Sequence, residues 1–518
     1  LGYSPGSPER NSIIQEIDRQ MSETIEIPCI INGEEVYTGH TIPQVIPHNH
    51  GHVLANVHLA GREEMESACS AAVNAQRSWI EMGLEERCKI FEKCADLLAG
   101  DWRMRVNVST MLNQSKTVFQ AEIDSACELI DFWRFNCHYA RGFHDDFQPL
   151  VSPEGVVNST DIRPLEGFVL SITPFNFTSI AANLPSAPAI VGCTSVWKPS
   201  RNSYYSNYYL MRLMMEAGLP PGVINFLPGS GAEITEVALS NPNFAGLHFT
   251  GSTATFQGLW QEIGLALPKL NSYPRIVGET GGKDFVVAHP DCDRRGLVVA
   301  LLRGAFEYQG QKCSAASRAY IPESVWNAIK DDYVNEVSKI SVGDPKDFSN
   351  FMGAVIDRKS FDNIAGYIDR ANRDSGCEIV TGGKYDDSTG YFVQPTTIVC
   401  SDPNYESMAE EIFGPVLSIY VYPDHEFIET LDLCDNTSEY ALTGSIFAAN
   451  REDIEVAMAA LRYSAGNFYI NDKSTGSVVG QQPFGGSGKS GTNDKAGDIN
   501  LLFRLFNQRN IKINHSIY

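Results

Sequence analysis

Short apolar runs alternate with segments of helical spacing between residues 166 and 250. The apolar runs lie at 167–172, 194–197, 223–227 and 246–250. Buried strands separated by helices are typical of a parallel sheet, because right-handed crossover helices cover both of its faces. The pattern therefore predicts a doubly wound α/β domain in this part of the chain.

Helical spacing also marks the segments on either side of this domain. Amphipathic helices are predicted within 61–100 and 117–141, where apolar residues recur at helical spacing among charged ones. A second α/β unit is predicted after residue 287, because helical and apolar segments alternate again over a length sufficient for a separate core. Residues 503–513 lose the helical period, which predicts an extended tail, a form that often pairs with another subunit.

Residues 167–197 resemble a membrane helix in one respect, because they contain no charged side chain. A bilayer helix needs about 20 predominantly apolar residues whose backbone groups are all satisfied. Pro174, Asn176, Pro185 and Pro188 interrupt this run. We therefore predict a buried α/β core here and no membrane span.

Composition excludes several classes of protein. The 518 residues are 43% hydrophobic and 20% charged, which is enough for about two to four domains with a large core. A net charge of −23, from 40 Lys and Arg against 63 Asp and Glu, opposes binding to nucleic acid. The 12 cysteines form no C-x-x-C pair, so we expect reduced thiols rather than a zinc ribbon or a disulfide framework.

The histidines near the start of the chain do not change this picture. His48, His50 and His52 stand two residues apart among turn-forming residues, without a nearby cysteine. We therefore predict no metal site.

Three side chains have the chemistry for catalysis. Cys313 lies among small residues after a helical segment, where its thiol could act as a nucleophile. Glu279 ends an apolar segment before two glycines and could act as a general base, and the Asn176 amide could stabilise an oxyanion. The same positions suit a structural cysteine, a solvated loop glutamate and a helix-capping asparagine, so the residues alone leave both interpretations open.

The G-x-G-x-x-G fingerprint of many dinucleotide-binding domains is absent. Residues 251–256 nevertheless form a small-residue turn that enters a helix. Such a turn can present backbone N–H groups to a phosphate, although similar turns connect strands to helices in many proteins.

Seven short motifs, taken in their order along the chain, are more specific than any single residue. They are PFNF at 174–177, WKPS at 197–200, FTGS at 249–252, ETGG at 279–282, GQKCS at 310–314, EIFGP at 411–415 and PFGG at 483–486. In this order the motifs resemble the aldehyde dehydrogenase superfamily. The resemblance covers nearly the whole chain and implies an α/β fold with a Rossmann-like cofactor domain, an α/β catalytic domain and a small β oligomerisation flap.

The resemblance also implies a division into domains. Residues 1–145 and 166–286, with part of 478–495, would form the NAD-binding domain, and 287–477 the catalytic domain. Residues 146–165 and 496–518 would form the oligomerisation flap and tail, with the segment 147–164 paired to the tail in a homodimer.

The family's reaction assigns a role to each of the three candidate residues. Cys313 would attack an aldehyde to form a thiohemiacetal, whose oxyanion Asn176 and the Cys313 backbone N–H would hold. After hydride transfer to NAD, Glu279 would activate the water that hydrolyses the thioester. The cofactor-binding residues carried over from the motifs are Trp197, Lys198, Ser200, Ser252, Glu411 and Phe413. Arg201 stands where close relatives often carry an acid, which leaves the use of NADP open because arginine pairs well with a 2′-phosphate.

Within the superfamily, the chain is most similar to the subfamily that oxidises L-glutamate γ-semialdehyde, which is in equilibrium with 1-pyrroline-5-carboxylate, to L-glutamate in proline degradation. The supporting segments are 6–10, 121–124, 128–132, 306–308 and 467–477. The resemblance implies that Ser314, Gly476 and Ser477 hold the substrate α-carboxylate, that Phe177 and Phe484 flank its aliphatic stem, and that Glu128 lies nearby. It also implies a location in the mitochondrial matrix.

Two alternative functions stay open. The chain could oxidise another semialdehyde, such as succinate semialdehyde, which lacks the amino group that Glu128 would complement. It could also be a non-catalytic structural relative, although the joint presence of Cys313, Glu279 and Asn176 argues against this.

Overall fold

Two seven-stranded sheets carry the fold. The computed structural model describes residues 1–146 and 148–515. The α-helices in these residues are α1 (Pro8–Met21), α2 (Arg62–Glu81), α3 (Leu84–Ala99), α4 (Arg103–Gln114), α5 (Val118–Ala121), α6 (Leu129–Asp146), α7 (Thr178–Ile190), α8 (Tyr204–Ala217), α9 (Gly231–Ser240), α10 (Thr253–Ala266), α11 (Arg294–Phe306), α12 (Glu323–Ser338), α13 (Arg358–Arg373), α14 (Glu406–Ala409), α15 (Phe427–Asn436), α16 (Arg451–Ala460) and α17 (Ile499–Phe503).

The strands follow the same order along the chain. They are β1 (Ile25–Ile27), β2 (Cys29–Ile31), β3 (Glu34–Val36), β4 (Thr41–Ile46), β5 (Asn49–His58), β6 (Val156–Pro164), β7 (Phe168–Ile172), β8 (Thr194–Lys198), β9 (Ile224–Phe226), β10 (Phe244–Thr250), β11 (Arg275–Glu279), β12 (Asp284–Ala288), β13 (Ala316–Pro322), β14 (Cys377–Thr381), β15 (Tyr385–Asp386), β16 (Phe392–Val393), β17 (Thr396–Cys400), β18 (Val416–Tyr422), β19 (Tyr440–Ala441), β20 (Thr443–Phe447), β21 (Asn467–Ile470), β22 (Ser487–Gly488) and β23 (Phe506–Asn514).

The first sheet has the strand order β11-β10-β7-β8-β9-β2-β3. Its strands from β11 to β9 are parallel, and β2 and β3 add an antiparallel edge. Helices α2, α9 and α10 pack on one face and α3, α7 and α8 on the other, so most residues of the parallel strands are buried. The predicted doubly wound domain is confirmed. The strand order reverses between β7 and β10, and ligands of such sheets bind at this switch point, beyond the carboxyl ends of the strands.

The second sheet has the strand order β14-β17-β18-β13-β12-β20-β21. Its strands are parallel except for β14, which pairs antiparallel with β17 at the edge. The predicted second α/β unit is therefore confirmed. Because β11 ends at Glu279 and β12 begins at Asp284, only a short connection joins the two sheets there.

The tail pairs with the flap segment of the same chain. Strand β23 runs antiparallel to β6, from Phe506 opposite Pro164 to Asn514 opposite Val156. The predicted extended tail and its pairing with the flap are confirmed for these residues, although α17 occupies the chain up to Phe503. Phe147 at the start of the predicted flap segment and residues 516–518 of the predicted tail lie outside the described residues.

The uncharged segment 167–197 forms β7, α7 and β8 of the first sheet. Almost every residue of these elements is buried. Within residues 1–146 and 148–515, no helix combines the length and the apolar character needed to cross a bilayer.

Helix α7 is capped from outside its own segment. A π-helix at Glu122–Glu128 connects α5 to α6 and points Asp124 at the start of α7. The Asp124 carboxylate accepts hydrogen bonds from the Thr178 and Ser179 N–H groups, both at 2.9 Å, and from the Lys116 ammonium at 2.5 Å. Because Asp124 satisfies the helix N-terminus, Asn176 is left free of the capping role that the sequence had allowed.

We expect Asp124→Ala to lower the free energy of unfolding by about 3–5 kcal/mol, because the substitution leaves the buried Lys116 ammonium without a counter-ion. Urea denaturation measures this change. Asp96→Ala is the control. The Asp96 side chain is 72% exposed and pairs with Arg134 at the surface, where an ion pair contributes about 0–1 kcal/mol to the free energy of unfolding. Equal midpoints for the two variants would contradict the role given to Asp124.

Candidate active site

Cys313 follows a strained loop between α11 and β13. Tyr308, Gln309 and Gly310 are consecutive residues in the left-handed region, with φ of 52°, 56° and 64°. Such a conformation costs a non-glycine residue about 1–3 kcal/mol and persists where the surroundings hold it. A Cβ on Gly310 would lie 2.2 Å from the Gly414 carbonyl oxygen, so this position requires glycine.

The side chain of Gln309 holds this loop in place. Its Nε2 donates to the carbonyl oxygens of Ser115 and Ala354, at 3.1 and 2.8 Å, and its Oε1 accepts from the Gly353 N–H at 3.0 Å. The amide is buried, so each of these hydrogen bonds is expensive to leave unmade. The loop that leads to Cys313 is thereby fixed to two separate segments of the chain.

Asn176 contacts the cysteine loop directly. It follows β7, is 5% exposed, and donates through Nδ2 to the Gln311 carbonyl oxygen at 3.1 Å. An amide NH₂ group has two donor hydrogens, so one hydrogen remains for a ligand. Asn176 therefore has the geometry to stabilise charge on an atom bound near Cys313.

Glu279 ends β11, at the carboxyl edge of the first sheet. Its Oε2 is buried without a hydrogen-bond partner among the described residues, and a Cβ on Gly485 would lie 3.0 Å from its Oε1. Burial holds the pKa of the Glu279 carboxyl well above its usual range. Once ionised, a carboxylate with a raised pKa is a stronger base than an ordinary one, so Glu279 could accept a proton from a water molecule.

Glu411 lies close to the cysteine loop because of a glycine. Its Oε1 accepts from the Gly282 N–H at 2.9 Å, and a Cβ on Gly282 would lie 2.2 Å from the Cys313 carbonyl oxygen. Burial raises the pKa of Glu411 to about 7. Burial, together with the Asp284, Glu279 and Glu411 carboxyls, also raises the pKa of the Cys313 thiol well above its usual value.

Phe413 stands next to these groups. It has a φ of 57°, and its ring makes an edge contact with Phe175 at 5.8 Å between centroids. Glu411, Phe413 and Gly282 line one small cavity beside the cysteine loop. The structure thus brings the predicted catalytic residues together with two of the predicted cofactor residues.

The remaining predicted cofactor residues line the carboxyl edge of the first sheet. Lys198 ends β8, and its Nζ lies 3.9 Å from the position that a Cβ would take on Gly231, at the start of α9. Burial lowers the pKa of Lys198 to about 8, and no carboxylate pairs with it among the described residues. Ser252 is exposed and accepts from the Thr255 N–H at 3.3 Å as the N-cap of α10. A half-buried cation and an exposed helix N-terminus together suit a phosphate-containing ligand.

Two predicted cofactor residues and one neighbour differ from this pattern. The indole of Trp197 is fully buried and donates to the Thr173 hydroxyl at 3.0 Å. It packs in the core against one face of the sheet, so neither face of the ring is free to contact an adenosine. The Ser200 hydroxyl accepts from the Asn202 N–H at 3.5 Å as a turn cap. Arg201 is exposed and lines a cavity of about 720 Å³ that includes none of the predicted cofactor residues.

The predicted substrate residues on the side of the π-helix lie beside a buried cation. The Lys116 ammonium is 4.2 Å from the centroid of the Phe177 ring and 4.3 Å from that of Tyr308. Glu128 accepts from the Ser179 hydroxyl at 3.0 Å, and burial raises the pKa of its carboxyl to about 8. An ammonium group bound beside Glu128 would favour the charged form of this carboxyl.

The other predicted substrate residues lie on two loops. The Ser314 hydroxyl bonds the Thr475 hydroxyl at 2.7 Å, which ties the residue after Cys313 to the loop of Gly476 and Ser477. Phe484 is fixed by its backbone, whose N–H and C=O both bond Ala496, at 3.1 and 2.7 Å. The Ser314 hydroxyl and the backbone of Phe484 are thus each fixed by hydrogen bonds to another segment of the chain.

Sequence reasoning missed several buried charged residues around this site. Lys283 is 1% exposed, its Nζ has no partner among the described residues, and burial lowers its pKa to about 7. Asp284, Lys116, Asp124 and Glu307 are also buried. The one available signal was the position of Lys283 directly before, and of Asp284 at the start of, the apolar strand β12, because charged residues are rarely buried.

Comparison with known proteins agrees with this geometry. Residues 36–509 match the aldehyde dehydrogenase family. The chain is 49% identical to the Δ1-pyrroline-5-carboxylate dehydrogenase of Agaricus bisporus over 99% of this chain and 94% of that protein. It is 46% identical to the mitochondrial Δ1-pyrroline-5-carboxylate dehydrogenase of Homo sapiens over 99% and 91% of the two chains. A crystal structure of the Mycobacterium tuberculosis Δ-pyrroline-5-carboxylate dehydrogenase bound with NAD is 48% identical, with a TM-score of 0.96 over 100% of this chain and 95% of that one. The predicted fold class is confirmed.

Proposed function

The chain belongs to the aldehyde dehydrogenase family, and from this premise we propose that it oxidises L-glutamate γ-semialdehyde to L-glutamate with NAD. The relatives with this activity in their names are about half identical to the chain over nearly its whole length. The observation that carries the proposal is the convergence of Cys313, Asn176 and Glu279 at the carboxyl edge of the first sheet. This convergence also opposes the alternative of a non-catalytic structural relative.

Cys313 begins the reaction as the thiolate, after its thiol proton has passed to solvent, and attacks the aldehyde carbon. A C–S bond forms, and the carbonyl oxygen becomes an oxyanion that accepts hydrogen bonds from the free Asn176 hydrogen and the Cys313 N–H. Bound NAD would supply the hydride acceptor that this step needs, which would bring the carbon to the oxidation level of an acid. Glu279 then takes a proton from the water that attacks the resulting thioester, which releases the acid and the Cys313 thiolate.

The residues at the carboxyl edge fit a dinucleotide. Lys198 offers a half-buried ammonium without a carboxylate partner among the described residues, and the N-terminus of α10 at Ser252 is exposed. Glu411 and Phe413 would hold the nicotinamide end beside Cys313, since Glu411 accepts from the Gly282 N–H and Gly282 lies against the Cys313 carbonyl oxygen. The position of Arg201 on a separate cavity supports NAD as the cofactor over NADP.

Substrate selection would depend on both ends of the semialdehyde. Ser314, Gly476 and Ser477 would hold the α-carboxylate, and Glu128 would face the ammonium group. Phe177 and Phe484 would flank the methylene stem. Succinate semialdehyde lacks the ammonium, so its binding would leave the Glu128 carboxyl with the Ser179 hydroxyl but without an ionic partner.

We also propose the division into an NAD-binding domain of 1–145 and 166–286 with part of 478–495, a catalytic domain of 287–477, and a flap and tail of 146–165 and 496–518. The strands of the first sheet lie between residues 29 and 279 and those of the second between 284 and 470, which supports this division. A mitochondrial location is proposed from the name of the human relative, with the matrix as the compartment, and fractionation of the source cells tests it.

Purified protein should reduce NAD with glutamate γ-semialdehyde, and its kcat/KM should exceed that for succinate semialdehyde at least about tenfold, because only the former offers an ammonium to Glu128. The absorbance of the reduced nicotinamide measures both reactions. Glu128→Gln is the matched variant, in which the ratio of the two kcat/KM values should be smaller. Equal efficiency on the two aldehydes would contradict the proposed substrate, and faster reduction of NADP would contradict the proposed cofactor.

We propose a homodimer as the functional unit, because the β6–β23 ribbon presents exposed side chains along both of its strands. Light scattering on the purified protein should give about twice the chain mass of 57.1 kDa. A single-chain mass at micromolar concentration would contradict the dimer.

A further inference from the structure

A buried carboxylate stands at the centre of a group of cations beside the cysteine loop. Glu307 is 4% exposed and lies between α11 and the strained residues that precede Cys313. Its Oε2 accepts from the Lys312 ammonium at 3.1 Å and from the Lys473 ammonium at 3.3 Å. Its Oε1 accepts from the Arg303 guanidinium at 2.7 Å.

One negative charge therefore faces three positive ones. Burial raises the pKa of Glu307, but the attraction of Lys312, Lys473 and Arg303 outweighs this effect and brings the pKa to about 2. Glu307 is thus ionised at neutral pH and cancels only one of the three positive charges. Arg303 is 52% exposed and partly screened by water, whereas Lys312 and Lys473 are 7% and 25% exposed. The cluster therefore has a surplus of positive charge on its inner side, which is the less exposed side formed by Lys312 and Lys473.

The inner side of this cluster faces the loop at residues 474–477. The Lys473 Nζ lies 3.1 Å from the position that a Cβ would take on Gly476, so the ammonium lies directly against the loop backbone. The same loop bonds the residue after the nucleophile, through the hydroxyls of Thr475 and Ser314 at 2.7 Å. A ligand group that binds between Ser314 and Gly476 would lie within a few ångströms of the Lys473 ammonium.

We propose that Lys473 is a specificity-determining residue, whose ammonium, held by Glu307, makes the 474–477 loop selective for aldehydes that carry a carboxylate. This inference rests on the proposed function, since it concerns how that site chooses its substrate. The loop itself offers hydroxyl and backbone N–H groups, which would bind a neutral polar group as well as an anion. A charge at this distance distinguishes the two, because the Coulomb energy between unit charges is several times larger at a partly buried site than in water.

Lys473→Met tests the proposal, because it removes the charge and keeps most of the stem. We expect the KM for glutamate γ-semialdehyde to rise on the order of tenfold. The kcat should stay near its wild-type value, and the kinetics with butanal, an uncharged aldehyde, should not change. Lys473→Arg should restore a low KM, since it returns the charge. The affinity for L-glutamate, measured by calorimetry, should fall together with the rise in KM and does not depend on turnover.

Lys330→Met is the matched control. Lys330 also bonds a glutamate at 3.3 Å, namely Glu378, but this pair is exposed on the surface of α12. Its substitution should leave both aldehydes unaffected. If Lys473→Met is not recovered in folded form, Lys473→Gln provides the same comparison.

The possible outcomes separate this inference from the proposed function. Equal losses with both aldehydes in Lys473→Met, or no loss with either, would overturn the role of Lys473. A wild-type protein that does not prefer glutamate γ-semialdehyde to butanal would overturn the proposed function instead. A loss confined to the carboxylate-bearing aldehyde, restored by Lys473→Arg, would support the inference.

Discussion

The position of Cys313 depends on three consecutive residues that are held in the left-handed region by a single buried amide. Tyr308 and Gln309 would relax towards ordinary backbone angles if the hydrogen bonds of the Gln309 side chain were lost. These bonds reach α4's carboxyl end at Ser115 and the segment at Gly353 and Ala354, so elements distant in sequence set the loop conformation. Asn176 adds a fourth attachment at the Gln311 carbonyl. The thiol is therefore presented by a rigid loop rather than by a flexible one.

Burial is the second constraint, because it raises the pKa values of the carboxyl groups around the thiol. Glu279 and Asp284 have pKa values well above the usual range because both are removed from water. A raised pKa also makes the ionised carboxylate a stronger base than an ordinary one. Glu279 must be ionised to act as the proposed general base, and its Oε2, which has no partner among the described residues, is then free to accept a proton from water. In the proposed reaction, the thiol and this carboxylate would each carry out one of two chemical tasks.

Much of the fold could be predicted from the sequence, because continuous apolar runs such as that of β7 leave few alternatives to a strand covered on both faces. The candidate catalytic residues could be predicted only through the order of seven motifs, since each residue alone suits a structural role equally well. The cap of α7 by Asp124 could not be predicted, because the two partners are 54 residues apart and a π-helix sets the direction of the side chain. The pairing of Glu307 with Lys473 spans 166 residues and leaves no periodic signal. The burial of Trp197 could not be predicted either, because a sequence motif does not show which side of a strand packs against the core.

The central claim is that Cys313 and Glu279 act in successive half-reactions on one covalent intermediate. Rapid mixing of Glu279→Gln with glutamate γ-semialdehyde and NAD, followed by acid quench and mass spectrometry, measures this intermediate directly. The account predicts a burst of about one equivalent of NADH per site and an acyl adduct on Cys313 that decays slowly. Wild-type steady turnover without an adduct in this variant, or NADH formation at the wild-type rate by Cys313→Ala, would contradict it.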